Sequence, residues 1–119
     1  MPKIKSDIKF TSEEICTQVD KICQSSELET KNLLCKLFRY LVNESIAGRE
    51  DDIKGYTIGV DVFNKNEDFD PERDPLVRIH AGRLRRALRL YYLEKGKHDP
   101  IRIEIPKVTQ QQIEEYGLD

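Results

Sequence analysis

Asp74-Pro75-Leu76-Val77-Arg78-Ile79-His80-Ala81-Gly82-Arg83-Leu84-Arg85-Arg86-Ala87-Leu88-Arg89-Leu90-Tyr91-Tyr92 carries the strongest helix-start signal in the chain, and its two faces decide what the fold has to bury. Asp74 offers a carboxylate to the first free amides, and Pro75 at the first helical position has no amide to leave unpaired. A helix of about five turns follows, running to Tyr92 or Lys95 and stopped by Gly96. At ~100° per residue, Val77, Ala81, Leu84, Leu88 and Tyr91 fall on one face, predicted to pack on a core, with Tyr92 at its margin. Arg78, Gly82, Arg85, Arg86 and Arg89 fall opposite them. Glycine inside a helix costs about 1 kcal/mol relative to alanine, so Gly82 between arginines marks a place where a partner approaches the backbone closely. Ile79 and Leu90 add apolar residues away from the core face.

Charge is distributed unevenly around this stretch. Residues 73–107 hold ten Lys or Arg against four Asp or Glu, a net of +6, which leaves −8 for the rest of a chain whose formal charge is −2. The average argues against a uniformly basic nucleic-acid coat, whereas the placement argues for a selective anionic partner. Arginine dominates the cationic face, and its planar fork suits phosphate oxygens and the guanine edge. The plainer reading is an exposed face paired with acidic residues of the same chain, such as those near Glu13 or Glu50.

On the C-terminal side, Ile101-Arg102-Ile103-Glu104-Ile105 alternates strictly and is closed by Pro106, which reads as a short half-buried strand. Residues 108–119 fit either a short final helix capped at Thr109 or a tail. Working back from Asp74, residues 64–72 are a turn-rich connection. Tyr56-Thr57-Ile58-Gly59-Val60-Asp61-Val62-Phe63 reads as a strand by its β-branched residues and as a helix by the spacing of Ile58, Val62 and Phe63. Earlier still, Ser26 and Glu29 suggest a capping box opening a long central helix through Leu33, Leu34, Leu37, Phe38, Leu41, Val42 and Ile46, with Gly48 as its left-handed stop. Thr11 and Glu14 suggest another, opening a helix whose stripe is Ile15, Val19 and Ile22 with Cys16 and Cys23. The expected organisation is a tail at 1–10, one domain at 11–107 and a tail or short helix at 108–119. The fold class is mainly α with a short β element.

At 119 residues the chain fits one domain. No apolar run approaches the ~20 residues that span a bilayer, and residues 1–10 lack an apolar signal core, so a cytoplasmic protein without a membrane partner is expected. Three cysteines without a CxxC pair read as buried, reduced thiols. No metal or other cofactor is expected. Asp68, Asp70, Glu72 and Asp74 alternate like a calcium loop, but Arg73 stands where the tight-turn glycine belongs and Ile79 where the bidentate glutamate belongs. His80 lies beside the apolar face and reads as a hydrogen-bonded core residue, and His98 lies in a loop with no Ser or Cys nucleophile evident beside it. Neither a phosphate cradle, a nucleophile elbow nor an HExxH sequence occurs, and catalysis is the poorest reading.

The segments Leu37-Phe38-Arg39-Tyr40-Leu41-Val42, Tyr56-Thr57-Ile58-Gly59-Val60-Asp61-Val62-Phe63, Asp68-Phe69-Asp70-Pro71, Asp74-Pro75-Leu76-Val77-Arg78, Ala81-Gly82-Arg83-Leu84-Arg85-Arg86 and Arg102-Ile103-Glu104-Ile105-Pro106-Lys107 together resemble a bacterial domain. That domain is found at the N-termini of signalling proteins related to tetratricopeptide-repeat and adenylate-cyclase-like chains. Its second half is similar to the winged helix-turn-helix of OmpR-type response regulators, and the likeness covers roughly residues 33–107. The resemblance implies a winged helix-turn-helix-like fold with additional N-terminal helices. In it, residues 56–63 form the first helix of the motif, the helix from Pro75 the recognition helix and residues 101–105 the first wing strand. The chain departs from the pattern after Lys107. Val108-Thr109-Gln110-Gln111-Gln112 stands where the family has a glycine and a return strand.

Two functional classes follow. One is a DNA-binding transcriptional regulator that places Arg78, Gly82, Arg85, Arg86 and Arg89 in the major groove of double-stranded DNA, with Lys95, Lys97, Arg102 and Lys107 on flanking phosphates. The other is a winged-helix interaction module of a bacterial signalling system, whose helix meets an acidic protein. The first helix, with its extra apolar stripe, suggests a homodimer contact.

Overall fold

The structure, a computed structural model, describes residues 3–5 and 10–105. Helix α1, Ser12–Cys23, starts where the sequence indicates: the Glu14 amide donates to Thr11 Oγ1 at 3.1 Å, and the Thr11 amide donates back to Glu14 Oε1 at 3.0 Å. Those reciprocal bonds satisfy two amides that the helix leaves free.

Helix α2, Asn32–Ile46, begins later than expected. The Ser26–Glu29 pair does not cap it; Ser26 Oγ donates to Glu27 instead, and turns occupy residues 24–30. The cause is Leu28, which is wholly buried. Amides of Leu28 and Glu29 both donate to the Ser25 carbonyl, and this tight turn carries the leucine into the core between α1 and α2. At its far end α2 stops at Gly48, whose φ of 79° suits glycine.

Beyond a 3-10 turn at Glu50–Asp52, the doubtful segment is helical: α3 spans Gly55–Phe63. Thr57 Oγ1 accepts from the Lys54 amide at 2.9 Å and donates to the Asp52 carbonyl at 2.7 Å, which fixes the first turn. Asn64 ends the helix in the left-handed conformation at φ 57°. Burial of Ile58 and Val62, four residues apart, outweighs the β propensity of the segment. The Phe69 ring packs so close to Gly59 that an added Cβ there would stand 2.2 Å from it, which clamps the connection leading to the next helix.

Helix α4, Leu76–Leu93, is the longest. Asp74 Oδ1 accepts from the Leu76 amide at 3.0 Å, but the helix begins one residue later than expected, with Pro75 as its N-cap rather than its first helical residue. Val77, Leu84, Leu88 and Tyr91 are buried as the wheel requires, joined by Ala87 and Tyr92, while Ala81 is half-buried. This face packs on α2 and α3, and the core is completed by Ile53, Phe69, Ile101, Ile103 and Ile105.

Strand β2, Arg102–Glu104, pairs antiparallel with β1, Lys3–Lys5, in the register Ile4 opposite Ile103. The segment read as an N-terminal tail therefore contributes a strand. Among the described residues β2 has no other strand partner; the positions where the family has a return strand fall beyond Ile105, outside the described residues, as does the tail or short final helix read at 108–119. The architecture is mainly helical with a short β element. No helix among the described residues is long and apolar enough to cross a membrane.

Candidate nucleic-acid interface

Helix α4 turns its solvent side outward with the arginines distributed along it. Arg83, Arg86 and Arg89 are exposed, and Arg78, Gly82 and Arg85 are half-buried. None of these five arginines forms a hydrogen bond or an ion pair with a described residue. Two acids beside the helix are engaged elsewhere: Glu27 with Lys95, and Asp74 with the Leu76 amide and Lys65. The pairing of this face with acids near Glu13 or Glu50 is not formed among the described residues.

Arg85, Arg89 and Arg102 converge where α4 meets β2, around a hollow of about 300 Å³ walled by Leu88, Tyr92 and Ile103. Arg102 is held in place from two sides. Its guanidinium carbon lies 5.1 Å from the centre of the Tyr92 ring, and Nε donates to Glu104 at 2.8 Å. Stacking of this kind leaves the remaining guanidinium hydrogens free to donate. Gly82 has the Arg85 Nη2 atom 3.8 Å from where a Cβ would stand, so the guanidinium of Arg85 lies close to the bare backbone.

Other expected site residues are placed apart from this group. Arg86 belongs to the opposite flank of α4, beside Arg83, where the helix meets the start of α2. Lys97 is exposed in the turn after α4, and Lys95 is drawn to Glu27 at 3.3 Å. Lys107 lies outside the described residues. Arg83 is a cation of this surface that the wheel argument passed over. Its spacing of three from Arg86 is the signal that places the two together.

The end of α4 is fixed by a polar network. Asp99 accepts from Gln18 Nε2 at 2.9 Å, from Lys21 Nζ at 2.7 Å and from the Tyr91 hydroxyl. Burial raises the Asp99 carboxyl, but the bonds from Gln18, Lys21 and Tyr91 together outweigh it and hold the group below its ordinary value. Burial, and then the bond to Asp99, push the Tyr91 phenol well above its usual range. Gly96 belongs to the same corner: a Cβ there would stand 2.1 Å from the Tyr91 ring, so close packing accounts for this glycine.

Through Gln18 and Lys21, α1 is part of the support for α4. Its apolar residues Ile15, Val19, Ile22 and Cys23 are buried in the core. The stripe that suggested a homodimer is thus covered by the chain itself except at Cys16, which is half-buried.

His80 is half-buried, with Nδ1 2.9 Å from the Leu76 carbonyl and its ring 5.0 Å from that of Phe63. It packs on Phe63 and also lines the hollow between α4 and the start of α2. Among the described residues no group of three or more His, Cys, Asp or Glu is placed to hold a metal ion. All three cysteines are free thiols, and burial, reinforced by neighbouring Cys35, pushes the Cys23 thiol up to about 12.

No family model matches this chain, and neither a curated protein nor a solved structure does.

Proposed function

We propose that the protein is a DNA-binding regulator of winged-helix type that lays α4 in the major groove of duplex DNA. One observation carries the reading: five arginines on one helix, with glycine among them, have no partner among the described residues. Structural arginines on a surface are commonly paired. A run of unpaired guanidinium groups repels itself, and an external anion relieves that repulsion. Arg78, Gly82, Arg85, Arg86 and Arg89 face the groove, and Arg102, steadied on Tyr92, meets a flanking phosphate. Lys97 and Lys107 supplement that contact. Lys95 is already shared with Glu27, so it adds least.

The acidic remainder of the chain keeps non-specific adhesion low, because its charge opposes docking in any orientation but the one that presents α4. Titration of labelled duplex across a salt series tests the proposal. Affinity is expected to fall steeply and linearly on logarithmic axes as counterions are released. Absence of binding at low salt, or a flat response, would overturn it.

The second reading, a protein interaction module, is favoured by a different observation. Ile79, Leu90 and Leu93 are exposed at 45%, 49% and 64% on the helix that bears the arginines. Of these, Leu90 lies on the flank next to α2, away from β2.

A further inference from the structure

On the flank of α4 next to the start of α2, a groove of about 480 Å³ has a floor of Leu33, Leu34, Ala87 and Leu90. Its rim carries Lys31, Arg83 and Arg86 beside His80, and none of the three cationic side chains has a hydrogen-bond or ion-pair partner among the described residues. The one carboxylate at its edge, Glu27, is neutralised by Lys95 at 3.3 Å. Leu33 and Leu90 in this floor remain 40% and 49% exposed.

This combination selects an occupant. A nucleic-acid backbone has charge for the rim but nothing apolar for the floor. A bilayer meets protruding surfaces, and this one is concave. Ile79, Arg83, Arg86 and Leu90 follow one another at spacings of four, three and four, a ridge of ~16 Å along α4 of the kind that seats between the side chains of another helix. We propose that the groove binds an acidic amphipathic helix of a partner protein. Apolar side chains of that helix, one turn apart, rest on Leu33, Leu34, Ala87 and Leu90, and its carboxylates pair with Lys31, Arg83 and Arg86. The groove and the hollow beside Arg102 are on different flanks of α4; Arg86 is shared with the proposed duplex contacts, whereas Leu33, Leu90, Lys31 and Arg83 are not among them, so changes at those residues test this site apart from that reading.

The probe is a fluorescein-labelled synthetic helix with leucines at intervals of three and four and glutamates between them, titrated with the full chain and read by anisotropy. Saturable binding is expected, weakened roughly tenfold or more by the double change Leu33→Ser and Leu90→Ser. A matching loss is expected for Arg83→Glu, and for a probe with lysine in place of every glutamate. Both leucines are largely exposed, so thermal melting and duplex binding of the double variant are expected to stay at wild-type values. Equal affinity for the acidic and basic probes overturns the proposal. So does binding insensitive to both variants. Two further results replace it with another occupant: binding to anionic phosphatidylserine vesicles, but not to the probe, that is lost in the double variant, and self-association in sedimentation that is lost there.

Discussion

The Tyr92 hydroxyl accepts a hydrogen bond from the Ile103 amide at 3.0 Å, and in turn donates to the Ile101 carbonyl at 2.9 Å. One phenol on the last turn of α4 therefore satisfies two backbone groups of the segment entering β2. The same ring supports Arg102. Position of the cationic residues on the two elements is consequently coupled through a single side chain.

Tyr92→Phe should leave the Ile103 amide and the Ile101 carbonyl buried without their partner. A loss of about 1–3 kcal/mol is expected, seen as a fall of several degrees in Tm. An unchanged Tm would mean that the segment finds other partners.

Replacing Arg85 and Arg86 together with alanine should weaken duplex binding roughly tenfold or more and flatten the salt dependence, with thermal melting nearly unchanged. Coupled loss of stability would instead point to internal partners for the two guanidinium groups.

Two glycines should respond oppositely to alanine. At Gly82 the nearest atom to the new methyl is 3.8 Å away, so the fold should gain about 0.5–1 kcal/mol from improved helix propensity. Duplex affinity should fall if backbone approach at Gly82 is used. Gly96→Ala places a methyl 2.1 Å from the Tyr91 ring and should cost about 1–3 kcal/mol. Chemical denaturation of both variants, with duplex binding for the first, checks the contrast.

Acid should weaken the corner where α1, α4 and Asp99 meet. The folded Asp99 carboxyl is held below its unfolded value of about 3.9, so its contribution is complete above that pH and is lost as pH falls through the folded pKa. Asp99→Asn should be less stable than wild type at pH 7, and the gap between the two should narrow from about pH 4 downward. A constant gap across that range would assign the acid sensitivity to another carboxylate.

The helices were legible from local chemistry. Thr11 with Glu14, and Asp74 with Pro75, are short-range signals because caps are made by neighbours in sequence. Ser26 with Glu29 has the same lettering and no cap, since the burial of Leu28 fixes the backbone there first. Residues 56–63 carry β-branched side chains and a helical period at once, and only the packing of Ile58 and Val62 decides between them. Long-range partners were the hidden part. Strand β1 is three residues of alternating Lys and Ile, too short to stand out, and the Asp99 network joins residues 78 and 81 positions apart. At the candidate site, the arginine stripe was visible on the wheel, but its division into a β2 flank and an α2 flank depends on what packs beside it.

The pairing of β1 with β2 has a kinetic meaning. Ile4 opposite Ile103 closes a loop of about a hundred residues, which costs roughly 4 kcal/mol in chain entropy. Contacts among the helices span far shorter separations and form without that closure. The helical body should assemble first and the two-stranded sheet last, so that pulsed amide exchange during refolding protects α2 and α4 before β1. The helix that carries the arginines is then in place while residues 3–5 and 102–104 are still apart.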